Sequence, residues 1–237
     1  MNIIEKQIST ILKINLIKIL DDNINYFKNS DSKLINHKLL YCNKWKVNEY
    51  DYLLQLLQTE SLHLKNTFEN NTLIQINLIN APPDCNNQLF HIDYEGDSIS
   101  YFIPFVELNN LNGTEFLEFT DTRNYIKYYD TLLTMSKLYL DRNEIISYLS
   151  KLELFLNSDY LFSCATSDAF ALICMPNYVY HRGQKNKTNH NRIMLNILFS
   201  INNNYDYPMD KIILDSEIDE VDRVDQIINK RNGNTVY

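Results

Sequence analysis

The sequence predicts an α+β chain whose core is a β-sandwich or jelly roll. Three observations lead there: helical periodicity is confined to the start, many short strand-like runs follow at irregular spacing, and one helical stretch interrupts them. At 237 residues with 45% hydrophobic content, the chain can fill one core, so a single domain over residues 1–237 is expected. Within it we expect a helical N-terminal part (1–70), a strand-rich core (72–200) with a helical insert at about 123–157, and a polar C-terminal tail (208–237).

Each element has its own signal. Ile4, Ile8, Ile11, Leu12, Ile19 and Leu20 recur at helical spacing, which predicts an amphipathic helix over the first 25 residues or so. Leu53, Leu54, Leu56 and Leu57 form the apolar stripe of a second helix in "NEYDYLLQLLQTESLHL". The texture then changes: "TLIQINLI" (72–79) alternates as a strand does, and the prolines of "APPDCNN" break it. Strand-like runs follow at 88–94, 98–108 and 115–120. Residues 131–157 read as helical or loop-like, and strands resume at "DYLFSC", "DAFALICM" and "RIMLNILFSI". Beyond Tyr207 the chain turns acidic and polar, as in "DSEIDEVDRVDQ".

Composition excludes several classes. A net charge of −8 argues against a nucleic-acid partner, because phosphate binding needs a basic face. Cys42, Cys85, Cys164 and Cys174 contain no C-x-x-C pair and read as reduced, mostly buried thiols. Glu5, Lys6, Lys13 and Lys18 interrupt the N-terminal apolar residues, so no signal-peptide core is expected. No run approaches the roughly 18 apolar residues of a membrane span. These features predict a soluble, cytoplasmic protein. The sequons at Asn70, Asn112 and Asn186 read as by-products of a high asparagine content.

The chemistry concentrates in "QLFHIDYEGDSISYFIPF" (88–105). On a strand, residues i and i+2 share a face, so His91 and Asp93 project together while Phe90, Ile92 and Tyr94 take the other side. A metal needs a third ligand. Of the five histidines, His37 and His63 lie in the helical part and His190 in a polar loop. His181 differs, because it follows "DAFALICMP" and opens "HRGQKNKTNHNR". His91, Asp93 and His181 would form a two-histidine, one-carboxylate triad, leaving three positions on octahedral iron(II) for a chelating cosubstrate and dioxygen. Zinc would favour a tetrahedral site with one open position. An isolated H-x-D is equally the mark of a strand with one satisfied histidine and one surface aspartate.

Arg192 adds a second signal. It lies eleven residues after His181, across a stretch holding Arg182, Lys185, Lys187 and His190 and no acidic residue. Because it opens an apolar strand, its guanidinium could enter the interior and bind the far carboxylate of a dicarboxylic acid bidentately. The same stretch also reads as a solvated basic loop or a phosphate-binding patch.

Taken in order, "HID", "NGTEF", "SDAFALICMPNYVYHRGQKNKT" and Arg192 resemble the iron(II)- and 2-oxoglutarate-dependent dioxygenases of the phytanoyl-CoA dioxygenase type, over roughly residues 72–200. The resemblance implies a double-stranded β-helix core of the jelly-roll, cupin-like kind. It implies that His91, Asp93 and His181 ligate Fe(II), that Arg192 pairs with the distal carboxylate of 2-oxoglutarate, and that Gln88 and Tyr101 lie beside the cosubstrate. The implied reaction consumes O2, releases succinate and CO2, and hydroxylates a substrate. A small molecule is the expected substrate class, with a protein side chain as the alternative. Related halogenases lack the carboxylate that Asp93 supplies, so its presence favours hydroxylation.

The chain also departs from the family pattern. "LEFTDTRN" follows "NGTEF" where the family has a "PGSH" turn, Ser167 replaces the glycine of "GDA", and Ile193 and Met194 follow Arg192 without a small hydroxyl residue. The first departure lies near the substrate mouth and leaves the substrate open. Two other readings stay on the table: a catalytically inactive jelly-roll ligand-binding protein, and a metal-dependent cupin-like enzyme that does not use 2-oxoglutarate. The latter would have no need of Arg192.

Overall fold

A computed structural model describes residues 2–23, 28–29, 38–41, 47–93, 97–119, 124, 128–138, 140–151, 160–176 and 178–201. The expected tail at 208–237, the end of the insert (152–157) and Tyr94 lie outside the described residues.

The expected first helix is shorter than its periodicity suggests. Residues Asn2–Glu5 form strand β1, and helix α1 spans Thr10–Asn23. Ser9 sets the boundary: its Oγ accepts the Leu12 N–H at 3.1 Å and donates to Glu60 at 2.8 Å. Ile8, Leu12, Leu16 and Ile19 are buried, whereas Ile11 is 56% exposed and Ile4 belongs to the strand. Two two-to-four-residue strands follow, β2 (Lys28–Asn29) and β3 (Lys38–Tyr41). The expected second helix is two, α2 (Val47–Glu60) and α3 (Leu62–Asn70). Ser61 breaks them, capping α3 by accepting the Leu64 N–H while donating to Glu5 at 2.6 Å. The two serine–glutamate bonds thus tie the start of α1 to the end of α2 and the start of α3 to the end of β1.

The remaining strands are β4 (Thr72–Ala81), β5 (Ser98–Pro104), β6 (Thr114–Phe119), β7 (Tyr160–Cys164), β8 (Leu172–Pro176), β9 (His181–Gly183) and β10 (Arg192–Ser200). Between β6 and β7 lie helices α4 (Tyr129–Leu138) and α5 (Arg142–Lys151). Helix α5 starts at a reciprocal cap, with Glu144 N–H donating to Asp141 and Asp141 N–H donating to Glu144. None of the described helices is long and apolar enough to cross a membrane.

All strand pairs are antiparallel. The large sheet runs β1-β8-β5-β10-β4-β3-β2, and the small sheet runs β7-β6-β9. The expected strand at 88–94 is a correction: the described residues 88–93 are irregular, and they meet β9 through the isolated bridge of His91 with His181 and the bond from Gln88 N–H to the Gly183 carbonyl. That bridge nonetheless makes the His91 segment the outer neighbour of β9.

Alternation along the strands sorts the core into layers. Tyr101, Ile103, Leu195, Ile197, Ile76 and Leu78 leave the large sheet on the side covered by α1, α2 and α3, in the largest apolar cluster. Ile173, Met175, Met194 and Phe102 leave the opposite side, where Met175 and Phe102 meet Phe116 of the small sheet and Val179, which precedes β9, while Ile173 and Met194 pack with Leu108 and Ala171. The small sheet's outer face, with Phe90, Leu117, Phe119 and Tyr160, is covered by Leu132, Met135, Ile145 and Leu149 of α4 and α5. The interior between the sheets is therefore bounded by apolar layers on both sides, where a polar group without a partner is costly.

Candidate metal and anion site

His91 and His181 are paired backbone to backbone across the bridge, N–H to carbonyl at 2.8 and 2.9 Å. The pairing places their imidazoles side by side, centroids 4.6 Å apart. Phe90 and Ile92, which flank His91, are buried in the outer cluster, so the local chain alternates even without a regular strand. Asp93 then falls on the imidazole side. His91, Asp93 and His181 form a cluster whose ligand atoms all lie within 4.8 Å of one another.

The hydrogen bonds settle the tautomers. His91 donates from Nδ1 to the Leu89 carbonyl at 2.8 Å, and His181 from Nδ1 to the Val179 carbonyl at 3.0 Å. A carbonyl only accepts, so each proton sits on Nδ1 and each Nε2 is turned toward Asp93. Nε2 of His91 and of His181 lie 3.4 and 3.3 Å from the same oxygen, Asp93 Oδ1. Three lone-pair-bearing atoms converge there, an arrangement that only extra protons or a cation can relieve. An ion about 2.1 Å from each donor holds neighbouring ligand atoms roughly 3.0–3.4 Å apart, so the donor set fits one. Backbone carbonyls that fix both rings are the kind of outer support that metal-binding histidines use.

Burial by itself would raise the Asp93 carboxyl. Where the extra protons charge the imidazoles, the charge and hydrogen bond of His181, followed by those of His91, outweigh it and hold the group well below the usual carboxylate range. Ser100 Oγ donates to the other carboxylate oxygen, Oδ2, at 3.3 Å.

Arg192 is a second, separate feature. It is 1% exposed on the inner face of β10, and its Nη1 donates to the carbonyls of Asn112 (2.6 Å), Gly113 (3.3 Å) and Gln184 (3.4 Å). Nε has no hydrogen-bond partner among the described residues. Burial pushes the guanidinium down to about 10, with Cys85 and Cys164 acting the other way. All three of these partners are neutral carbonyls, so among the described residues the charge has no counter-ion.

The "NGT" motif builds that cradle. Asn112 Oδ1 accepts the Asn109 N–H, and its Nδ2 donates to the Glu107 carbonyl, which locks the loop. Gly113 is packed so closely that a Cβ would lie 2.6 Å from Cys164 Sγ and 2.8 Å from the Asn109 carbonyl, and would also strike the Ala165 carbonyl. Asn186 locks the other side, donating to the carbonyls of Ala81 and His190 at 2.8 Å each. Asn112 and Asn186 are 1% and 0% exposed, so in the folded chain their sequons are out of reach of glycosylation.

Gln88 and Tyr101 are both held by protein partners. Gln88 Oε1 accepts the Gly183 N–H at 2.7 Å, and Gln88 N–H donates to the Gly183 carbonyl, so this residue clamps β9 two positions from His181. Tyr101 is a correction. It turns to the helical side of β5, where its hydroxyl meets His63 Nε2 at 2.9 Å and Thr67 at 3.3 Å, because its neighbour Ser100 occupies the inner face. The basic stretch is also largely spoken for. Arg182 pairs with Glu115 and lies over the Phe90 ring, and Lys185 pairs with Asp84.

Two residues escaped sequence reasoning. Asn77 and Asn196 are direct cross-strand partners on the inner face, each 6% exposed, and each Oδ1 lacks a partner among the described residues. Along β10 they stand between Arg192 and Leu198, whose partner Ser100 holds Asp93. The available signal was an asparagine at an inward position of each of two otherwise apolar strands.

No family model matches the sequence, and neither does any curated protein sequence. Solved structures are similar in fold. SnoK, described as a non-heme alpha ketoglutarate dependent carbocyclase from nogalamycin biosynthesis, matches with a TM-score of 0.53 and 7% identity, over 81% of this chain and 75% of its own. SnoN, a non-heme alpha ketoglutarate dependent epimerase of the same biosynthesis, matches with 0.55 and 8%, over 83% and 74%. AviO1 from Streptomyces viridochromogenes Tue57 matches with 0.55 and 11%, over 86% and 90%. At these identities the likeness is one of fold. That fold is shared with non-heme 2-oxoglutarate-dependent oxygenases.

Proposed function

We propose that the chain is a non-haem iron(II)- and 2-oxoglutarate-dependent oxygenase of the phytanoyl-CoA dioxygenase type, acting as a hydroxylase. The observation that carries the proposal is Arg192: a buried guanidinium whose hydrogen-bond partners among the described residues are all carbonyls, on the inner face of the large sheet, beside a convergent His-Asp-His donor set on the inner side of the small one. A metal-dependent cupin-like enzyme without 2-oxoglutarate would have no use for it. The likeness to SnoN supports the reading, since that protein is also known in complex with Fe3+, alpha ketoglutarate and nogalamycin RO.

The topology supports a double-stranded β-helix. In chain order β4, the His91 segment, β5, β6, β7, β8, β9 and β10 fall to large, small, large, small, small, large, small and large sheet. His91, Asp93 and His181 hold the iron, with the Leu89 and Val179 carbonyls fixing the two rings. When bound, the metal supplies, with 2-oxoglutarate and O2, the oxidising power to hydroxylate a C–H bond while succinate and CO2 are released. Arg192 receives the distal carboxylate of 2-oxoglutarate, in a cradle of carbonyls that fixes its arm. Gln88 acts by positioning β9. Asn77 and Asn196 line the stretch between the two ends. The substrate is a small molecule, with a protein side chain as the alternative, and Cys85, Cys164 and Cys174, none of them in a disulfide among the described residues, suit a reducing, cytoplasmic setting.

The test is direct. Anaerobically purified protein is loaded with Fe(II) and 2-oxoglutarate, O2 is admitted, and succinate is followed. Oxygen-dependent succinate formation that His91→Ala abolishes is expected. Its absence with every candidate substrate would point instead to a non-catalytic ligand-binding protein.

A further inference from the structure

The inner face of the small sheet carries two polar groups that the metal and cosubstrate leave unused; what they bind is a question that rests on the oxygenase reading. Phe116 pairs with His181 on one side and Ser163 on the other, so His91, His181, Phe116 and Ser163 stand in one row across the sheet. Arg192 is gripped beyond one side of this row, at Gly113 and Gln184, next to the Thr114–Gly183 pair. Glu118, paired with Leu161, lies on the other side. Leu117, Phe119, Tyr160 and Phe162 turn outward to the helical layer, so Glu118, Leu161 and Ser163 share the inner face with Phe116.

This far end opens to solvent, since Leu161 is 48% exposed despite its inward position. Ser163 Oγ is buried without a hydrogen-bond partner among the described residues. No hydrogen bond or ion pair joins the Glu118 side chain to a described residue, whereas the Glu115 side chain, on the outer face of the same strand, is held by Arg182 and Arg142. Two residues along a strand span roughly 6.8 Å, so Glu118 stands that far from the triad's row, on the side away from Arg192.

We infer that the substrate carries a protonated amine, which Glu118 binds as an ion pair while Ser163 Oγ accepts an N–H. A carboxylate substrate would be repelled there, and an uncharged one would leave a partly desolvated acid and hydroxyl without partners. The two ends of the interior then have opposite signs: Arg192 selects the anionic cosubstrate and Glu118 the cationic substrate, so neither competes for the other's place.

The test replaces iron by Mn(II), adds 2-oxoglutarate, and measures paramagnetic relaxation of ligand protons at low ionic strength for hexylamine, 1-hexanol and hexanoate. The 2-oxoglutarate protons should relax rapidly. Hexylamine should bind about fivefold more tightly than 1-hexanol, as a partly screened ion pair would give, and hexanoate should bind most weakly. Glu118→Gln should erase the amine preference. Ser163→Ala should weaken hexylamine about threefold without lowering the melting temperature, since its hydroxyl has no partner to lose. Equal binding of hexylamine and 1-hexanol beside a well-relaxed 2-oxoglutarate would overturn this inference alone. Loss of relaxation for 2-oxoglutarate itself would overturn the oxygenase reading and the inference with it.

Discussion

Replacing Arg192 by Met separates a structural cation from one kept for a ligand. Burial takes the guanidinium from an ordinary 12.5 to about 10. That corresponds to a cost on the order of 3 kcal/mol for holding the charge in the folded chain at neutral pH. The sign follows from a cation whose folded value is depressed: the cost is present below pH 10 and relieved as pH rises beyond it. Met removes that cost but leaves the Asn112, Gly113 and Gln184 carbonyls without their donor, at about 1 kcal/mol each. The two nearly cancel, so the ligand-free variant should melt within a few degrees of the wild type. Cosubstrate binding should not survive as well. Loss of a charge-assisted carboxylate contact of about 3 kcal/mol weakens 2-oxoglutarate roughly a hundredfold. At a concentration that stabilises the wild type by about 2.7 kcal/mol, the variant would gain only about 0.4. Thermal melting with a redox-inert divalent metal and increasing 2-oxoglutarate reads this as a shift of several degrees against about one. Equal shifts in the two proteins would refute the assignment, and a collapse of the ligand-free variant would make Arg192 a structural strut.

Other expectations follow from the same geometry. Gly113→Ala forces a Cβ against two carbonyls and Cys164 Sγ, so it should cost about 1–3 kcal/mol in urea unfolding and weaken 2-oxoglutarate as well, because the cradle of Arg192 moves with it. Asn196→Leu should stabilise the ligand-free protein or leave it unchanged, because its Oδ1 is buried and unpartnered among the described residues, while raising the KM for 2-oxoglutarate; a KM equal to that of the wild type would remove it from the pocket. Asp93, depressed below its ordinary 3.8 in the folded state, contributes stability that is complete above that pH and lost as pH falls below it. The stability difference between the metal-free wild type and Asp93→Asn should therefore shrink on acidification through pH 4, and a difference that widens would contradict the ion-pair geometry.

Local pattern carried much of this fold. The alternation of "TLIQINLI", the apolar run after Arg192 and the leucines of 53–57 all lie where strands and helices form, because a half-buried strand or helix face imposes its own period on the sequence. Boundaries were less legible. Whether residues 2–5 continue a helix or pair with β8 depends on a strand 170 residues away in the chain, and Ser9 and Ser61 act as caps through side chains that also reach Glu60 and Glu5.

The sequence by itself determined which residue types were present for a site: an H-x-D pair, a histidine opening "HRGQKN" and an arginine eleven residues on. Their shared face followed from the two-residue period of an extended chain. Only the tertiary structure decided which other side chains join them, because facing depends on the register between strands far apart in sequence. Pairing of β5 with β10 turns Ser100 inward to Asp93 and Tyr101 outward to His63. Pairing of β6 with β7 and β9 puts Ser163 in the row of the histidines, and packing of the "NGT" loop leaves Arg192 buried among carbonyls. Burial without a hydrogen-bond partner among the described residues is a property of the folded chain; Arg192, Asn77, Asn196 and Ser163 combine it with a place on the inner faces of the two sheets, and no sequence pattern reports that combination.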